Sequence, residues 1–317
     1  LSLNGERVLT TLPYYAYIKV AEGCDNCCSY CAIPQIRGRF RSRPMEEIVA
    51  EAEKLAKDGV KELIVVAQDT SRYGEDLYGS YKLAELLKKL CEIDGLVWIR
   101  TLYCYPDKIT DELLSVVANE EKLVKYFDIP IQHCNGEILK SMNRKQNQTE
   151  LKQLFARIRK AVPNVTLRTT LITGYPDETD EQFTELSEFV DEIKFDRLGC
   201  FQYSAEEGTK AATMPNQIED DVKARREEII MSQQAIIMEN LNKEKIGQTI
   251  QVLVEGYDKF GECFFGRSKA DAPDIDGKIF FESKNSYKMG DFAEVIIEDI
   301  LDYDLVGSDK AGIKEYK

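Results

Sequence analysis

Residues 21–34 read AEGCDNCCSYCAIP and follow directly on a short β-type run, AYIKVA from Ala16. Cys24, Cys28 and Cys31 form C-x3-C-x2-C, with the aromatic Tyr30 just before the last cysteine. Three thiolates bind three irons of a four-iron cluster and leave the fourth iron without a protein ligand. A cluster that only carries electrons has four such ligands, so an open corner points to a cluster that binds a small molecule. Cys27 opens another reading, two abutting C-x2-C pairs around one zinc ion. Adjacent residues aim their side chains apart, and zinc sites separate their pairs by a longer loop. A zinc-binding interaction module without catalysis therefore stays open as the alternative of another class.

Outward from the loop, β-type runs alternate with helical stretches. The runs are AYIKVA, ELIVVA from Glu62, VWIRTLY from Val97, YFDIPI from Tyr126, TLRTTLI from Thr166 and DRLGCFQY from Asp196. Their apolar content fits strands covered on both faces. The helix MEEIVAEAEKLAKDG is predicted with Pro44 at its first position and a stop at Gly59; Thr179 and Gln182 form a capping-box pattern. Six β-α repeats predict an α/β fold with a parallel sheet and right-handed crossovers, a partial (β/α)6 barrel open at its side. Chemistry in such barrels gathers at the C-terminal ends of the strands. A charged helical connector runs over 217–245, and after Gly247 short β runs separated by Gly, Pro and Asp predict a small all-β unit. The expected domains are 1–241 and 242–317.

The 317 residues suffice for one large and one small domain, and 43% hydrophobic with 31% charged residues is a globular composition. Nine cysteines, four of them within eight residues, read as metal or redox chemistry rather than a disulfide framework. Of the lone cysteines, Cys104 and Cys134 fall near strand ends, where they would face a cavity. A net charge of −14 opposes broad affinity for nucleic acid or anionic membranes. No apolar run spans a bilayer, and LSLNGERVL lacks a signal-peptide pattern and an initiating Met. The expectation is a processed or excised cytoplasmic chain with no membrane partner.

The cysteine loop with the trailing RGRFRSRP at 37–44 resembles the methylthiotransferase branch of radical S-adenosylmethionine (SAM) enzymes. The resemblance implies that Cys24, Cys28 and Cys31 hold a [4Fe-4S] cluster whose open iron is chelated by SAM. An electron from the cluster then breaks the sulfonium C–S bond to give a 5′-deoxyadenosyl radical, so a reducing electron donor is an expected partner. It also implies a TRAM-like C-terminal domain, and an N-terminal domain, missing here, with a second [4Fe-4S] cluster. Cys27 departs from the family, where the slot is often polar, and stands as an extra thiol.

Strand ends supply the remaining candidates. Gln68 and Asp69 in AQDTSRYG stand where the wider family carries Gly-Gly-Glu to receive the SAM amino group; an Asx-type turn is the plain alternative. Gln132 and His133 in FDIPIQHCNGEILKSMNR fall in a stretch resembling that of the enzymes modifying a ribosomal-protein aspartate, and are candidates for substrate at the cavity mouth. Gly174 in LITGYPDETDEQF lies in a turn resembling the family's adenosine-side turn, with Asp177 replacing a Gly; Arg168 and Tyr30 complete the SAM-binding candidates. Arg37, Arg39, Arg41 and Arg43 alternate and, if extended, would share one side as a cationic ridge, with Arg37 and Arg39 at the mouth.

Residues 242–317 carry 11 Lys and Arg against 16 Asp and Glu, a net of −5. An acidic recognition domain suits a basic protein and opposes tRNA. The expected substrate is an aspartate β-carbon on a basic small-subunit ribosomal protein, the resembled enzymes acting on protein twelve. A tRNA-adenosine methylthiotransferase is the alternative.

Overall fold

The computed structural model describes residues 11–310; the reading of LSLNGERVL lies outside them. In chain order the first elements are β1 (Tyr15–Lys19), β2 (Ala21–Glu22), α1 (Ile33–Arg37), β3 (Arg41–Ser42), α2 (Met45–Lys57), β4 (Glu62–Val66), α3 (Glu75–Tyr78), α4 (Leu83–Cys91) and β5 (Trp98–Thr101). They continue with α5 (Asp111–Asn119), β6 (Tyr126–Asp128), α6 (Gly136–Ser141), α7 (Gln148–Ala161), β7 (Thr166–Thr173), α8 (Asp180–Ile193), β8 (Arg197–Gln202) and α9 (Asp220–Lys243). All six expected strands form.

Their burial explains why. Leu63, Ile64 and Val65 of β4 are fully enclosed, because a parallel sheet is covered on both faces. Helix α2 buries Met45, Ile48, Ala52 and Leu55, one stripe at helical spacing. Met45, Ile48 and Leu55 each contribute about 1.5–3 kcal/mol by leaving water. Pro44 is the N-cap of α2 rather than its first residue, since its ψ of 138° is extended. The capping box of Thr179 and Gln182 is formed, and Asn147 with Glu150 makes another at α7.

Parallel ladders give β1-β4-β5 and β6-β7-β8. The two sheets meet where Ile99 N donates to Lys122 O at 2.7 Å and Val124 N donates to Ile99 O at 3.0 Å. Six strands thus follow in sequence order. Among the described residues no ladder joins β8 to β1, so the barrel is partial. One charged pair is enclosed within it, Glu62 with Arg100 at 2.8 Å, the guanidinium lying over the Tyr126 ring.

The chain divides into compact units at Gln234/Ala235, inside α9. In the second unit, β9 (Thr249–Asp258), β10 (Cys263–Arg267), β11 (Ile279–Glu282), β12 (Phe292–Leu301) and β13 (Asp304–Asp309) close a barrel in the order β10-β11-β13-β12-β9. Val252, Val254, Ile279, Phe281, Val295 and Ile297 fill it. The long run from Phe292 is two strands, with Leu301 paired to Asp304 across a tight turn.

Candidate active site

The cysteine loop leaves β2 through Gly23, whose φ is +79° and where a Cβ would come within 2.2 Å of Arg39 O. Only glycine fits that close approach. Cys24 N then donates to Gly38 O, Phe40 N to Asp25 Oδ1, and Cys31 N to Cys28 O. Loop and return strand therefore form one unit.

Every other strand end of the barrel grips this loop. After β4, Asp69 Oδ2 accepts from Asn26 Nδ2 at 2.9 Å. After β5, Lys108 Nζ donates to Asn26 Oδ1 at 3.2 Å and pairs with Asp69 at 3.0 Å. After β6, Asn143 Nδ2 donates to Cys27 O at 2.9 Å, and Met142 O accepts from Ser29 N. After β7, the Tyr175 hydroxyl lies 2.7 Å from Ser29 Oγ. After β8, Ala211 N donates to Ser29 O. Backbone groups of an irregular loop need partners when buried, and here the connections after β6 and β8 supply them, while those after β4, β5 and β7 hold its side chains.

None of the three cysteines is bridged. Burial pushes the Cys24 thiol up to about 11, and Asp69, Cys28 and Cys31 push the same way. Burial raises Cys31 too, with Cys28 and Cys27 adding. Thiols that oppose one another's ionisation need a cationic centre before all can be thiolates, so this donor set fits an iron–sulfur cluster. Among the described residues, no three His, Cys, Asp or Glu side chains converge as a single metal ion requires. Cys27, at φ +50°, is exposed; it lines an opening of about 440 Å³ together with Cys28, Cys31, Lys140 and Lys210.

Tyr30 packs beside Ile138, Met142 and Tyr175 under the loop, and its hydroxyl meets Arg144 Nη1 at 3.4 Å. Gln68 Oε1 is buried without a hydrogen-bond partner, an acceptor left for a ligand. Asp69 is enclosed and already holds Asn26, Lys108 and the Ser71 hydroxyl. It is the loop's anchor, and the Asx-type turn does not form: its side chain accepts from the Ser71 hydroxyl and caps no backbone N–H. Arg168 Nη1 pairs with Asp128 at 2.9 Å. Gln132, at the end of β6, has φ +71°, a strained conformation for a side-chain-bearing residue.

Several expectations need correction. His133 is wholly enclosed: its Nδ1 accepts from Asn135 N at 3.0 Å and its Nε2 lies 3.5 Å from Glu178. It does not stand at a mouth. The arginine ridge does not form, because α1 and a bend interrupt the extended run. Arg37 and Arg39 face Glu22 and Asp25 at 3.7 and 3.9 Å, long contacts from solvent-exposed guanidiniums that are worth little. Arg43 is turned inward onto Glu51 of α2. Cys134 does not face the barrel interior either, its thiol lying against Glu185 O of α8.

Gly174 belongs to a hub rather than an open turn. Its N–H donates to both oxygens of the buried Glu178, which also pairs with Arg226 of α9 at 2.8 Å. Asn26, Tyr105, Lys108, Asn143 and Arg144 were not singled out by sequence reasoning. Asn143 and Arg144 end the FDIPIQH stretch, which was the only signal toward them.

Comparison with known proteins agrees with this architecture. Residues 18–190 match the Radical SAM superfamily model and residues 246–308 the TRAM domain model. The chain is 50% identical over 307 residues to ribosomal protein uS12 methylthiotransferase RimO of Clostridium acetobutylicum, covering 96% of this chain and 68% of that protein. It is 49% identical to the Thermoanaerobacter sp. RimO, covering 95% and 69%. A solved structure of methylornithine synthase (PylB) superposes with a TM-score of 0.50 at 14% identity, covering 71% of this chain and 62% of that one, a likeness of fold. With the cysteine loop, the partial barrel and the closed C-terminal β-barrel in place, the chain belongs to the radical SAM superfamily, among the TRAM-bearing RimO methylthiotransferases.

Proposed function

We propose that this protein attaches a methylthio group to the β-carbon of an aspartate on ribosomal protein uS12. The observation that carries the reading is the three-cysteine loop, clamped at the C-terminal strand ends of a chain half identical to enzymes of that name. Cys24, Cys28 and Cys31 would hold the [4Fe-4S] cluster. When bound with SAM, the cluster supplies reductive cleavage of the sulfonium and a carbon radical that abstracts hydrogen.

The chain's own residues hold and orient. Gln68, with its open amide oxygen, would receive the SAM amino group, and Arg168 beside Asp128 is suited to a carboxylate. Tyr30 covers one side of the cluster loop, Gly174 and its turn lie on the adenosine side, and Gln132 faces substrate. Asp69 and Lys108 fix the loop and keep its geometry through turnover.

The C-terminal unit would select the partner. Its net charge of −5 over 242–317 suits a basic ribosomal protein and disfavours tRNA. The work would be done in the cytoplasm, where ribosomal proteins are made and assembled, with a reducing protein as electron donor. Sulfur would come from a second cluster in a domain outside these 317 residues, the curated relatives being longer.

The test is anaerobic reconstitution with SAM, a reductant and a uS12 peptide deuterated at the aspartate β-carbon. The reading expects deuterium in 5′-deoxyadenosine and SAM cleavage stimulated by the peptide but not by tRNA. Stimulation by tRNA alone, with no deuterium transfer, would refute it.

A further inference from the structure

Arg144 follows α6 and is enclosed beneath the cysteine loop, 5% exposed. Four other buried cations each face a carboxylate: Arg43 meets Glu51 at 2.7 Å, Arg100 meets Glu62 at 2.8 Å, Lys108 meets Asp69 at 3.0 Å and Arg226 meets Glu178 at 2.8 Å. Among the described residues Arg144 has no such partner. Its Nη2 donates to Pro130 O at 2.6 Å, its Nη1 to the Tyr30 hydroxyl at 3.4 Å, and its guanidinium stacks 4.3 Å from the Tyr105 ring centroid. Its Nε is buried with no acceptor.

A guanidinium does not shed its proton inside a protein. Buried against neutral acceptors and a π face, its charge stays uncompensated, a costly arrangement unless an anion arrives. The side that offers one is the cysteine loop. Tyr30 sits inside the motif, between Cys28 and Cys31, so its hydroxyl contact sets Arg144 against the ligand loop, within electrostatic reach of Cys28. A four-iron core bearing three thiolates is a net anion, and reduction adds one more negative charge.

We propose that Arg144 is the built-in counter-charge of the iron–sulfur cluster, acting on Cys28 directly and through the Tyr30 hydroxyl to make the cluster easier to reduce. The proposal rests on the reading that Cys28 is a cluster ligand. Net charge and hydrogen bonds to sulfur are the protein's main levers on cluster potential. Arg144 is a positioning residue here: it supplies charge, not a bond to the reacting atoms.

The test is a redox titration of the anaerobically reconstituted protein, read by electron paramagnetic resonance in the absence of SAM and substrate. Arg144→Gln should make reduction at least tenfold less favourable, a midpoint about 59 mV or more lower for one electron. Arg144→Lys should restore most of that, and Tyr30→Phe should shift it less than Arg144→Gln. An unchanged midpoint in Arg144→Gln, or equal shifts in Arg144→Gln and Tyr30→Phe, would overturn the counter-charge. If Arg144→Gln assembles no cluster, recovery of the cluster in Arg144→Lys supports the proposal and its failure there overturns it. A wild type that binds no cluster would instead remove the underlying ligand assignment, so the two failures are distinct.

Discussion

Asn26 Nδ2 donates to Asp69 Oδ2 at 2.9 Å, binding a residue inside the cysteine motif to the connection after β4. The same carboxylate oxygen pairs with Lys108 after β5, and its partner oxygen accepts from Ser71. The cluster loop is therefore held in shape by the barrel before any metal arrives.

Asp69→Ala removes that anchor and leaves Lys108 a buried cation without its enclosed partner. Breaking such a pair costs about 3–5 kcal/mol. Urea unfolding should show the loss, and iron content after reconstitution should fall with it. Asn26→Ala, which leaves Lys108 and Asp69 paired, should cost only about 1 kcal/mol.

Glu178 joins the Gly174 turn to α9 from an enclosed position. Glu178→Gln should destabilise the protein by on the order of 3 kcal/mol, because Arg226 then keeps only the exposed Asp180 as a charged partner. Adding Arg226→Met should recover part of that loss, a coupling measurable by a double-mutant cycle.

Gly174→Ala meets two obstacles. Its φ of +71° is unfavourable for a side chain, and the new Cβ would lie 2.2 Å from Lys223 Cγ. The expected loss is about 1–3 kcal/mol. Lys223→Ala should relieve the crowding but not the backbone strain, so the double variant should regain only part of the stability.

Buried thiols make the fold alkali-sensitive. Burial pushes Cys134 up to about 12, while in the unfolded chain it ionises near about 8.5. Between those values the unfolded state binds fewer protons, so stability is intact below the lower value and declines as pH rises through the window. Each such group contributes at most about 1.4 kcal/mol per pH unit. Urea midpoints taken from neutral to alkaline pH should fall, and less steeply in Cys134→Ala.

Much of this was legible in the sequence because it is local. Runs such as ELIVV and TLRTTLIT announce covered strands by composition, and Thr179 with Gln182 announces a helix start four residues long. The cysteine spacing marks its own chemistry. What the sequence hid depends on contacts far along the chain: Asn26 meets Asp69 and Lys108, and Arg144 meets Tyr30, only once the barrel curls. The alternating arginines misled for the opposite reason. Their spacing is suggestive only in an extended segment, and here α1 takes in Arg37, a bend falls at Arg39 and only Arg41 lies in a strand. His133, the only histidine, read as a mouth residue from its place at a strand end, yet its ring points back toward Glu178.

Electron paramagnetic resonance of the reduced, reconstituted protein, recorded with and without SAM, bears most directly on the three-cysteine site. The account predicts about four irons per chain and a spectrum that changes when SAM is added, with both features lost in Cys28→Ala. A SAM-responsive cluster that survives Cys28→Ala, or a wild-type cluster with a fourth side chain on its last iron, would contradict it.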